Sequence, residues 1–113
     1  MRYYLISFPS GEMQFEPHEF DTVVAESHAV IAEAKAAGVY VFGGGIDEEA
    51  PPVRVAADGT VTPGTYPQTA RLEGGYTVLR LASRADAERW AAKIAAACRC
   101  PQELRVFGDD PDM

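Results

Sequence analysis

Two stretches of helical periodicity, each with a short strand-like run before and after it, constrain this chain more than any other feature. Phe20, Val23, Val24, Val30, Ile31, Ala34 and Ala37 recur at the spacing of one helix face. Ala87, Trp90, Ala91, Ile94 and Cys98 do the same further along. The flanking runs are Arg2 to Phe8, Val39 to Phe42, Tyr76 to Leu81 and Leu104 to Phe107, mixing β-branched and aromatic residues as strands do. Val53-Arg54-Val55 and Thr60-Val61-Thr62 flank Asp58-Gly59, a dipeptide suited to a tight hairpin turn. The order strand, helix, strand, hairpin, strand, helix, strand predicts an α+β fold, one antiparallel sheet with both helices on one face.

Local punctuation agrees with these boundaries. Pro17 suits the first turn of a helix, and Glu16, Glu19 and Asp21 place negative charge where the helix dipole favours it. Gly38 is placed to close that helix in a left-handed cap. Gly43-Gly44-Gly45 reads as the stop of the second strand, with an acidic, proline-bearing loop from Asp47 to Pro52. Gly74-Gly75 enters the clearest strand. Ser83 is a good N-cap for the second helix, with Asp86 in the position of a capping-box acid, and Pro101 prevents that helix from continuing. Residues 1–107 are expected to form a single domain and residues 108–113 an acidic, mobile tail.

A sheet with helices on one face leaves its other face bare. Tyr4, Tyr40, Phe42, Tyr76 and Val78 read as lining that face. An uncovered apolar face invites a second sheet, so a face-to-face homodimer is expected.

Charge narrows the function classes. Seventeen acidic residues against 10 basic ones leave a formal charge of -7, which repels a phosphate backbone and an anionic membrane surface. The expectation is no nucleic acid and no membrane partner. No apolar run approaches the roughly 20 residues of a transmembrane helix. The N-terminal residues read as a strand and not as a signal peptide, so a cytoplasmic protein is expected. The only cysteines, Cys98 and Cys100, are too close in sequence for an unstrained bridge and lack the partners of a zinc site. They read as a thiol packed on the helix and one in the turn after it. No cofactor is expected.

Further residues carry a likeness to a known family. The chain opens Met1-Arg2-Tyr3, closes its first helix with Ala36-Ala37-Gly38-Val39, and sets Val53-Arg54-Val55 before Asp58-Gly59. The double glycine, the strand after it and Ala91-Ala92-Lys93 follow in order. These landmarks span about residues 1 to 107, and with them the chain resembles the YCII-related family, in the branch with an Asp-Gly-Pro-Phe motif. The resemblance implies a ferredoxin-like βαββαβ sheet that dimerises into an α+β barrel. The family segment Asp-Gly-Pro-Phe-Ala-Glu-Thr-Lys-Glu-x-x-Gly-Gly falls without a gap on Pro63 to Gly75. Gly64, Thr69, Gly74 and Gly75 are kept, and Tyr66 stands for the phenylalanine. Pro63, Gln68, Ala70 and Arg71 replace the family's Asp, Glu, Lys and Glu. The glycines and the aromatic survive while the charges do not, which suits a retained structural role more than a retained catalytic one.

Against this background the candidate site residues are His28, Arg54, Tyr66, Gln68 and Tyr40. His28 borders the apolar stripe of the first helix, and histidine is the commonest general acid/base. The competing reading is a half-buried structural histidine. Family members are associated with a histidine on this helix and a nearby aspartate. Here that histidine's place falls closer to Ser27, and Ala36 stands where the aspartate would be. Arg54 is suited to hold a carboxylate or phosphate of a small anionic molecule; a surface ion pair is its other reading. Tyr66 and Gln68, in the signature segment, are ligand-binding candidates. Tyr40 and Tyr76 line the open face either as ligand contacts or as interface core. His18 reads as solvent-facing and Trp90 as core. The triple glycine matches neither a phosphate loop nor a dinucleotide fingerprint and reads as a bend at a pocket mouth.

Three functions fit this sequence. One is a small-molecule enzyme with lyase-like acid/base chemistry at His28. Another is a non-catalytic ligand-binding or regulatory domain, in keeping with relatives encoded near alternative sigma factors. The last is a dimeric scaffold.

Overall fold

Strand β1 (Arg2–Pro9) and strand β5 (Gly74–Leu81) form the centre of the molecule, paired antiparallel from Arg2↔Leu81 to Pro9↔Gly74. The computed structural model describes all 113 residues. β1 alternates Tyr4 and Ile6 towards the helices with Tyr3 and Leu5 away from them. Leu79 and Leu81 share the helix side, since Tyr4 stands opposite Leu79. Strand β2 (Tyr40–Gly45) pairs with the outer side of β5, and strand β6 (Glu103–Val106) with the outer side of β1. The resulting order β2-β5-β1-β6 places one strand inside each strand–helix–strand unit. This four-stranded antiparallel sheet is the arrangement compatible with a ferredoxin-like fold. Strands β3 (Val53–Val55) and β4 (Val61–Pro63) form a separate two-stranded sheet between β2 and β5 in the chain.

Helices α1 (Phe20–Ala36) and α2 (Arg84–Cys98) pack on the same sheet face. Ala34 of α1 and Ala87, Ala91 and Ile94 of α2 meet Tyr4, Ile6, Leu79 and Leu81 in one buried cluster. Alanines at these contacts bring the helix axes close to the sheet. The sheet supplies the bulk and the helices supply proximity.

The helix ends follow their sequence signals. Pro17 begins a 3₁₀ turn (Pro17–Glu19) that runs into α1, with the Glu16 backbone N–H donating to the Glu19 carboxylate at 3.0 Å. Gly38 takes φ +74° after α1, the left-handed conformation that a residue without a β-carbon adopts most cheaply. Ser83 Oγ accepts the Asp86 backbone N–H at 3.1 Å. The Asp86 carboxylate pairs with Arg89. Ser83→Ala is expected to lower stability by about 1 kcal/mol, read as a shift in the urea midpoint with an unchanged slope.

Three expectations are corrected here. Gly43-Gly44-Gly45 does not stop β2; it continues the strand, paired with Thr77, Tyr76 and Gly75. The ladder needs backbone groups only, so glycine's weak strand propensity is overridden by its neighbour. Tyr4 lies in the helix-side core at 5% exposure and not on the open face. Tyr40 also packs against that core. A bulge between Tyr40 and Phe42 sets these two residues opposite the adjacent pair Leu79 and Val78. The extra residue inverts the alternation, so Tyr40 and Phe42 point to opposite faces. The open face therefore carries Tyr3, Leu5, Phe42, Tyr76 and Val78, with Phe42 at 66% exposure.

No helix is long and apolar enough to cross a membrane. After β6, Phe107 is tied to β1: its N–H donates to the Tyr3 carbonyl, and its carbonyl accepts from Arg2.

Candidate functional site

The side of the sheet that bears the helices is not filled to its end. Beyond the Ile6 and Leu79 layer, the last residues of β2 and the first of β5 are glycines, and no side chain rises from them into the space below α1. A groove of about 750 Å³ results. Its floor is open at Gly45, with the Phe8 ring over Gly75, the Tyr40 hydroxyl over Gly43 and Thr77 at the inner end. Val30 and Ile31 of α1 and Ile94 of α2 form one wall, and Met13 and Phe15 of the loop after β1 form another.

The loop wall is held by contacts of its own. Gln14 N–H donates to the Arg99 carbonyl at 3.1 Å, and the Phe15 ring packs on Phe20 with centroids 6.3 Å apart. Ser10 N–H donates to the Glu73 carbonyl, and Ser10 Oγ donates to Glu48 at 2.9 Å, tying the loops on either side of the mouth. Arg99 is the residue that organises this corner. It sits at φ 60° as the left-handed cap of α2, and its guanidinium donates to the Ala96 and Ala97 carbonyls and to Glu26 of α1 at 2.7 Å. That hydrogen bond holds the Glu26 carboxyl below the usual carboxylate range. The sequence reading passed over Arg99. An arginine directly before Cys-Pro at a helix end is a usable signal for it, because cations favour helix C-termini.

His28 borders the groove from α1 as an exposed residue and not a half-buried one, and Tyr40 reaches it half-buried from β2. Two of the five candidate residues are thus brought together. The other three stand elsewhere. Arg54 is on β3, where its guanidinium lies over the Tyr66 ring 5.8 Å from the centroid. Tyr66 is 65% exposed, and Gln68 is exposed in the 3₁₀ turn Pro67–Thr69. None of these three lines the groove. The hairpin that carries Arg54 pairs only with itself. Asp58 at its tip accepts the Thr60 backbone N–H at 2.9 Å, which holds the Asp58 carboxyl below its ordinary range. Sequence reasoning did not find Met13, Phe15, Ile46 or Glu48, which come from loops with no periodicity to read. No model of a known protein family matches this chain, and no curated protein matches it either.

The two thiols differ sharply. Cys98 is half-buried at the groove wall, with its sulfur 3.7 Å from Ser27 Oγ. Cys100 is buried, and desolvation, then the neighbouring Cys98, pushes its thiol above the ordinary range. Iodoacetamide at neutral pH is expected to label Cys98 at least about tenfold faster than Cys100, since burial and the raised Cys100 thiol both disfavour the latter. Peptide mass mapping over time measures the two rates. The sign of the stability effect follows from proton binding. Above about pH 8.5, the ordinary thiol value, the unfolded chain releases a proton that folded Cys100 retains. Stability therefore falls as pH rises through this range, and Cys100→Ala is expected to flatten that slope.

Proposed function

We propose that this chain is a YCII-related protein that acts as a homodimer and holds a small ligand in the groove between α1 and the sheet, with His28 as the residue that exchanges a proton with it. The observation that carries this reading is the groove. Its size falls in the range of about 300–1,000 Å³ typical of small-molecule sites, and its walls are mostly apolar with few polar groups. His28 and Tyr40 line it together. An imidazole in reach of a ligand can take a proton from carbon and return one to a leaving group, which is the requirement of a lyase-like step.

The dimer is supported by the shape of one protomer. Its smallest extent is 20 Å, the depth of one sheet plus one helix layer about 10 Å across. On the open face Tyr3 and Phe42 are exposed and Leu5, Tyr76 and Val78 half-buried, with C-terminal residues from Phe107 onward beside Tyr3 and Val78 only. Two such faces pressed together would make the α+β barrel. Arg54, on the other sheet, and Tyr66, in the segment after it, are a separate place where a small anion could be held.

One observation favours a non-catalytic ligand-binding or regulatory domain as the second reading. No side-chain hydrogen bond orients the His28 ring, whereas an acid/base residue is usually fixed by a third group.

The experiment is a screen of small carbon acids for deuterium uptake from D2O, followed by proton NMR, with light scattering on the same sample. The catalytic reading expects exchange in a dimer and at least about a hundredfold loss in His28→Ala. Binding without exchange would move the chain to the second reading. A monomer at micromolar concentration that stays a monomer would sink the homodimer.

A further inference from the structure

Resting on the groove as a ligand site, we propose that its ligand is an uncharged molecule with a flat ring, and not a carboxylate or a phosphate. The residues lining the groove include no lysine and no arginine. The one carboxylate in the lining is Glu48, at the mouth, and the chain as a whole carries -7. The basic groups nearby are engaged elsewhere. Arg99 is bound to Glu26 and to two helix carbonyls, and Lys35 lies over the Tyr40 ring, 5.1 Å from its centroid, outside the lining. An anion entering this space would lose water, meet no lysine or arginine and face Glu48. Burying a charge without a partner is costly, so the lining selects against it.

Shape, independently of charge, favours a flat ligand. Gly45 pairs with Gly75 and Gly43 with Thr77; the Phe8 ring lies over Gly75 and the Tyr40 hydroxyl over Gly43, so the open peptide surface on the groove side is at Gly45, bordered by two aromatic side chains. The opposite walls are branched aliphatic and aromatic, from Val30, Ile31 and Phe15. A flat ring suits such a floor, with one face against Gly45 and the Phe8 and Tyr40 rings beside it. Among the polar groups of the lining, Glu48, His28 and the Tyr40 hydroxyl suit one hydroxyl on that ring.

The probes are 1-naphthol and 1-naphthoate, near-isosteres of which the first is neutral and the second anionic at neutral pH. Calorimetric titration is expected to give naphthol the tighter Kd by at least about tenfold. Gly45→Val adds atoms to the floor where only Gly74 O stands within 4 Å of the new β-carbon, at 3.6 Å. It is expected to weaken naphthol binding by at least about tenfold with a cooperative melt retained, the floor being the contact surface. If that variant does not fold, amide NMR of the unaltered protein replaces it, with naphthol expected to move the Gly43, Gly45 and Thr77 signals. Equal or tighter naphthoate binding, with both compounds lost in Gly45→Val, would overturn the neutral-ligand proposal and keep the groove as a site. Binding that neither responds to Gly45→Val nor moves those signals would overturn both, as would no binding of either compound.

Discussion

Gly74→Ala is expected to cost the fold about 3 kcal/mol or more, the largest effect of any single methyl addition in this chain. Gly74 stands at φ +149°, and a β-carbon there would overlap the carbonyl oxygen of Phe8 on the paired strand. That obstacle is backbone and cannot rotate away. Relief requires β1 and β5 to part where Phe8 meets Gly75 and Pro9 meets Gly74, which loosens the sheet's central pair and the groove floor together. Two other alanine substitutions calibrate the result. At Gly75 the new carbon meets the Phe8 ring at 2.5 Å, an edge that can swing aside, so the cost is smaller. Gly64, at φ +100° with nothing within 4 Å, is expected to lose only about 1 kcal/mol. Urea denaturation of the three variants gives the order directly. A Gly74→Ala protein no weaker than Gly64→Ala would contradict the close approach of the two strands.

Leu79→Ala is expected to destabilise by about 2–5 kcal/mol. Leu79 is fully buried on the central strand, with Tyr4 beside it on β1 and Tyr40 beside it on β2. What faces this layer from the helices is largely alanine: Ala34, Ala87 and Ala91. An alanine has no side-chain freedom with which to refill a lost isobutyl group, and the paired strands hold their spacing. The cavity stays open, which puts the expected cost in the upper part of that range. Val55→Ala, on the hairpin at 65% exposure, is the control and is expected to stay within about 0.5 kcal/mol. A small loss at Leu79 would mean that the helices settle onto the sheet, and that the alanine-lined contact is softer than argued.

Much of the architecture was legible because its signals are local. The apolar spacing from Phe20 to Ala34 and from Ala87 to Cys98, Ser83 at one helix start and Gly38 at another helix end depend on the chain within a turn or two of itself. All of them fall where the structure has them. The site was less legible. His28 and Tyr40 were found from residue type and position, and they do share the groove. Arg54, Tyr66 and Gln68 were grouped with them through the signature segment, yet their location depends on where a self-paired hairpin swings.

From the sequence alone came the α+β class, the two helices and their ends, the four main strands and the hairpin, each written in a periodicity or a cap that needs no distant partner. Only the tertiary structure decided the faces and the groove. Period two says which residues share a side of a strand but not which side meets the helices, and one bulge after Tyr40 reverses even that. Gly43-Gly44-Gly45 looks like a stop to local propensity; the hydrogen bonds of β5 make it strand, and its missing side chains then become a floor. Arg99 and the loop from Ser10 to Phe15 acquire their roles through contacts across most of the chain. Long-range packing chooses among local possibilities that are close in energy, and the groove is made where it does so.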